Sequence, residues 1–139
     1  MGRAFQGCTN LVINALDAPD LSQVTSMAGM FDGATAMNQD IGHWDVSNVQ
    51  NLDGMFRNTS FNQDISSWDV SNVSVFAFMF DGASAFNQDL SAWGTRLGSA
   101  DSMASMFRGA TAFNGAIENW DVTTVTNICL LYTSPSPRD

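Results

Sequence analysis

FNQDISSWDVSNV, residues 61–73, sets Asn, Gln, Asp and Ser around a few large apolar residues, and the chain copies this polar phrase. MNQDIGHWDVSNV stands at 37–49, FNQDLSAW at 86–93 and FNGAIENWDVTTV at 113–125. Met-Phe recurs at 30–31, 55–56, 79–80 and 106–107, so the period is 24–27 residues. Trp44, Trp68, Trp93 and Trp120 keep the same step, as do Asn38, Asn62, Asn87 and Asn114. A fixed period of this length signals repeats that bury their apolar faces against one another.

Within one copy the apolar residues run Ile65, Trp68, Val70, Val73, Phe76, Met79–Phe80, Ala83, Phe86. Ile-x-x-Trp-x-Val has the form of the leucine-rich-repeat phrase and predicts a short strand with Trp68 and Val70 inward and Asp69 outward. Val73, Phe76 and Met79–Phe80 then recur every three or four residues, which predicts a helix. Ser47, Ser71 and Thr123 stand where helix N-caps belong, and Ser47-x-x-Gln50 reads as a capping box. Gly33, Gly82 and Gly109, with Asn58, stand where a left-handed residue would close that helix. The expected architecture is an α/β solenoid of leucine-rich-repeat type, about five rungs with a short parallel strand and a short helix each. Residues 1–29 would form partial N-terminal repeats, 30–128 four repeats of one solenoid domain with the last truncated, and 129–139 a tail. The Asn of each FNQD is expected to form an interior ladder that satisfies backbone groups of the adjacent turn.

Composition narrows the functions. The 139 residues suffice for one domain with an apolar core. Five Arg, no Lys and fourteen acidic residues give a net charge of −9. That balance opposes nucleic acid, which needs a basic patch, and an anionic membrane surface. No apolar run has the length of a membrane span, and MGRAFQGCTN lacks a signal-peptide core. Cys8 and Cys129 offer neither a disulfide framework nor metal-ligand spacing, and Cys8 is expected as a small buried apolar residue. No nucleotide loop, His-Glu-x-x-His or nucleophile elbow occurs. His43 stands where other copies have Ser67, Ala92 and Asn119, which marks a tolerated surface residue and not a catalytic base. The chain is therefore expected not to be an enzyme.

Acidic residues recur in two rows. Asp45, Asp69 and Asp121 follow each Trp, while Asp40, Asp64 and Asp89 precede it; the third copy lacks its Asp after Trp93 and carries Gly-Thr-Arg instead. Stacked like charges need compensation, which bonds to turn N–H groups would supply. The competing reading is calcium, held by Asp45, Asp69, Asp40 and Asp64, although no D-x-D-x-D-G spacing supports it. No cofactor is otherwise expected. Asn58-Thr-Ser and Asn72-Val-Ser have the form of glycosylation acceptors, the second arising from the repeat phrase itself.

AFQGCTNL at 4–11 resembles the Phe-x-Gly-Cys-Thr-x-Leu phrase of BspA-like leucine-rich-repeat proteins. MFDGATAMNQDIGHWDVSNV and its copies resemble the related repeat domain of unknown function in bacterial surface lipoproteins. The resemblance covers about residues 4–128 and implies a surface or extracellular module for adhesion and protein contact, without catalytic residues. The expected function is binding of a protein or glycan by a monomer, through a face carrying His43, Asp45, Ser67, Asp69, Asn119 and Asp121. The alternative is a purely structural or calcium-stabilised surface module. CLLYTSPSPRD at 129–139 resembles a translated sequencing adapter joined to a truncated gene, and the opening inside a repeat suggests truncation there too.

Overall fold

The computed structural model describes residues 1–14 and 16–129, so all of the adapter-like stretch except Cys129 lies outside the described residues. Successive copies begin at Ser26, Asn51, Val75, Ser102 and Asn127, which are linked by isolated parallel bridges. The N–H groups of Met27, Gly29, Phe31 and Gly33 donate to the carbonyls of Asn51, Asp53, Met55 and Arg57 at 2.9, 2.7, 3.0 and 2.9 Å. Leu52, Gly54, Phe56 and Asn58 donate in the same register to Val75, Ala77, Met79 and Asp81, and Phe76, Phe78, Phe80 and Gly82 to Ser102, Ala104, Met106 and Arg108. The intervening N–H groups turn inward: Met30, Asp32 and Ala34 donate to Met27, Gly29 and Phe31. Backbone donors thus alternate between the next copy and the local turn, which satisfies both sets.

This arrangement overturns the expected α/β solenoid of leucine-rich-repeat type with a strand and a helix in each rung. Among the described residues there is one short 3-10 helix, Ser91–Arg96, and no strand or sheet beyond the bridges. The cause is a left-handed residue at every fourth position. In the turn Met27–Met30 the third residue is Gly29 at φ 61°, and in Phe31–Ala34 it is Gly33 at φ 75°. A β-turn with positive φ at its third residue is type II, and overlapping turns of this kind cannot propagate a helix. Gly33, Asn58, Gly82 and Gly109 are left-handed as expected, yet they close turns and not helices. Ser47, Ser71 and Thr123 cap no helix; their N–H groups bond Asp45, Asp69 and Asp121. The Ser47-x-x-Gln50 capping box is absent as well, since the Gln50 N–H bonds the Thr25 carbonyl.

Stacking of equivalent side chains builds the core. Phe5, Phe31, Phe56, Phe80 and Phe107 form a column with centroids 5.7, 5.9, 5.7 and 5.6 Å apart. Phe61, Phe86 and Phe113 form a second column, each against its own Met-Phe ring at 3.9, 3.9 and 4.1 Å. The indoles of Trp68, Trp93 and Trp120 donate to the preceding copy, to the carbonyls of Ile41, Ile65 and Leu90 at 3.1, 3.2 and 3.0 Å. A buried Trp with its N–H paired keeps its apolar area without an orphan donor.

Departures from the repeat are locally compensated. The second copy is one residue short before Phe61, and the Thr59 hydroxyl accepts the Phe61 N–H while donating to the Phe56 carbonyl. The Gly-Thr-Arg insertion forms the 3-10 helix, from which Arg96 donates to the Trp68 carbonyl at 2.9 Å. The Asn ladder exists, but at the surface and not in the interior. Asn38, Asn62 and Asn87 accept the N–H of Asn62, Asn87 and Asn114 through their side-chain oxygens. Cys8 is exposed and not buried, because it lies in the outermost described turn, where the interior copies bury Ala34, Thr59 and Ala83.

Candidate functional site

The face expected from the sequence assembles as a lattice of Asx turns. Asp45, Asp69 and Asp121 accept the N–H two residues on at 3.0, 3.1 and 3.0 Å; Asp40, Asp64 and Asp89 do the same at 2.9, 2.9 and 2.8 Å. Between these carboxylates, Ser67 donates its hydroxyl to the Gly42 carbonyl and Asn119 its amide to the Ser91 carbonyl. His43 is exposed beside them. Most of the polar groups on this face are therefore engaged in holding their own turns and the neighbouring copy. Asn72 is engaged likewise, its amide donating to the Ser47 carbonyl at 2.7 Å.

Hydrogen bonds from Ser47, Ser66, Ser71 and Thr123 hold Asp45, Asp64, Asp69 and Asp121 below the usual carboxylate range, and Ser22 does so for Asp20. Arg96 adds to this at Asp69, while the neighbouring Asp45 opposes it. A depressed folded pKa contributes stability that is present above the unfolded value of about 3.9 and is lost as pH falls through the lower folded value. Burial raises Asp53 instead, which contributes with the opposite sign. The urea midpoint is expected to fall between about pH 4 and pH 2 as the carboxylates held by these turns are protonated, with Asp53 acting against that fall. A midpoint that holds or rises over that range would show that these bonds do not favour the folded state.

Among the described residues, no group of three or more His, Cys, Asp and Glu is placed to hold a metal ion. Asp40, Asp45, Asp64 and Asp69 each spend an oxygen on their own turn. Calcium and magnesium at equal ionic strength are therefore expected to shift the melting temperature equally, by screening alone. A calcium-specific rise, abolished by Asp69→Asn and kept in Asp81→Asn, would instead establish a site on this face.

A second surface row lies on the Met-Phe turns, and repeat spacing alone did not reveal it. Gln6, Asp32, Arg57, Asp81 and Arg108 occupy equivalent positions in successive copies, so acidic and basic side chains alternate along the stack. Gln6 donates to Asp32 at 3.1 Å. Arg108 makes a two-point contact with the buried Asp81, whose Oδ2 also lies 3.6 Å from Arg57. Three of the four arginines among the described residues, Arg3, Arg57 and Arg108, lie along these turns. Phe78 sits between them, half-buried, with the Arg57 and Arg108 guanidinium carbons 5.9 and 5.6 Å from its ring centre.

Phe78 is also backbone-strained. Its φ is 56°, at a position where the two preceding copies have Gly29 and Gly54. A bulky residue in the left-handed region costs on the order of 1–2 kcal/mol, and Arg3 and Ser105 at the equivalent positions of other copies are left-handed too. Because Gly29 and Gly54 carry no side chain, a cleft of about 180 Å³ opens between Arg3 and Phe78. Asp32, Asp53 and Arg57 complete its walls. The signal that could have revealed this row is the substitution of Phe78 and Arg3 for glycine, legible only once the register of the copies is known.

Among the described residues no helix is long and apolar enough to cross a membrane. No curated protein matches the chain, and no solved structure does. The family described as Mycoplasma protein of unknown function, DUF285, matches residues 1–99 and again 95–136, spanning the Phe columns and both surface rows. On that match, the chain belongs to the DUF285 family of repeat proteins.

Proposed function

We propose that this chain is a non-enzymatic module, displayed at the cell surface or outside the cell, that binds a protein or glycan partner. The observation that carries the reading is Phe78. Every other aromatic ring from Phe31 to Trp120 is buried, whereas this one is half-exposed, left-handed and flanked by two arginines. Arginine and aromatic anchors dominate the energetics of recognition surfaces. The likeness of residues 4–11 to BspA-like surface proteins points the same way. The Asx-turn rows favour a purely structural role for the other face, since their carboxylates close turns.

The test is Phe78→Gly, in surface binding to arrayed glycans and purified extracellular proteins. Relief of the left-handed strain offsets loss of the cation–π contacts, so stability should change by less than about 1 kcal/mol. Saturable binding by the parent chain should drop at least about tenfold in the variant. Binding that Phe78→Gly leaves intact, or none by the parent chain, would refute the reading.

A further inference from the structure

We propose that the cleft between Arg3 and Phe78 is a subsite for one sugar ring of a neutral glycan. This rests on the binding reading above and names the ligand class and the place. Two adjacent copies have glycine where the flanking copies have Arg3 and Phe78, and both Gly29 and Gly54 line the cleft, with the Arg3 and Arg57 side chains lying close over them. Its walls carry two guanidinium groups, Arg3 and Arg57, and two carboxylates, Asp32 and Asp53. No ion pair shorter than 4.0 Å joins these arginines to these carboxylates; Arg57 leans instead toward Asp81. Opposite charges therefore face one another over a gap.

A ligand for this gap must donate to carboxylates and accept from guanidinium groups at once. Hydroxyl groups do both, with one O–H donor and two acceptor lone pairs each. A sulfated or uronic glycan would meet Asp32 and Asp53 in a chain of net charge −9, and a cationic ligand would meet Arg3 and Arg57. The balanced lining therefore selects a neutral polyhydroxyl compound. At about 180 Å³ the cleft is smaller than a drug-sized pocket of roughly 300 Å³ or more, and suits a single ring. Phe78 closes one end with a ring that the flanking arginines hold in place.

The experiment probes the full chain on an array of neutral, sialylated and sulfated glycans, with a panel of purified extracellular proteins in parallel. Neutral hexose-bearing glycans are expected to bind saturably, with little dependence on salt. Ala28→Leu, which places bulk in the cleft without altering a left-handed residue, and Asp53→Asn, which removes a carboxylate acceptor, should each weaken that binding at least about tenfold. Ala28→Leu should melt like the parent, and Asp53→Asn, which removes a carboxylate whose ionised form burial disfavours, should melt no lower. Binding confined to the sialylated and sulfated glycans overturns the subsite. Neutral-glycan binding that survives both substitutions also overturns it. Protein binding sensitive to Phe78→Gly with no glycan binding sinks the subsite and leaves the broader reading standing, whereas absence of all binding sinks both.

Discussion

Trp68→Ala is expected to destabilise the chain by about 3–5 kcal/mol, the cost of a cavity left by a large buried aromatic. The ring is 1% exposed and packs against Phe56 at a centroid distance of 6.2 Å. Its indole N–H donates to the Ile41 carbonyl, so truncation also removes a link between two copies. Trp68→Phe keeps much of the apolar area and leaves that carbonyl without its donor, which should cost about 1–3 kcal/mol beyond the volume change. His43→Ala, on an exposed side chain in the preceding copy, should stay within about 0.5 kcal/mol. Urea unfolding of the three variants checks the order. Comparable losses for Trp68→Ala and His43→Ala would mean that the indole column does not hold the copies together.

The copies, their register and nearly every core position were legible, because Met-Phe and Trp recur wherever stacking demands a buried side chain. Trp68 and Val70 do face inward and Asp69 outward, as alternation implies. The secondary structure was misread for a physical reason. A ribbon of overlapping turns brings residues three or four apart to one side, so Val73, Phe76 and Met79–Phe80 imitate a helical stripe. The contrary signal is a second left-handed position four residues before the recognised one. Gly29 and Gly54 reveal it, but Phe78 and Ser105 conceal it in the later copies. Such residues rarely adopt positive φ, so sequence reasoning assigns them to a helix.

The candidate site divides along the same line. Asp45, Asp69 and Asp121 stand out by repetition, and repetition turns out to mark local turn chemistry. The charged row stands out only by variation, which a reading of one copy takes as freedom. Stacking converts that variation into order: Asp32, Arg57, Asp81 and Arg108 alternate because equal charges in register would repel. Each member directly follows a Met-Phe pair, so the positions were in view, but the backbone bonds between copies show that these side chains neighbour one another.

Phe80→Ala should be as damaging as any single truncation, at about 3–5 kcal/mol, because Phe80 belongs to both aromatic columns' contacts. Its ring lies 5.7 Å from Phe56, 5.6 Å from Phe107 and 3.9 Å from Phe86, and the side chain is fully buried. In a stack that contacts only nearest neighbours, a cavity at the centre weakens the interfaces on both sides. The two halves should then unfold less cooperatively, which reads as a smaller denaturant slope as well as a lower midpoint. The same truncation at Phe5 tests the logic. That ring is half-buried, and in its column it stacks on Phe31 alone, at 5.7 Å. Phe5→Ala should therefore cost about 1–2 kcal/mol and leave the slope unchanged. Equal losses at Phe80 and Phe5, or an unchanged slope in Phe80→Ala, would show that stability is not passed from copy to copy through the aromatic columns.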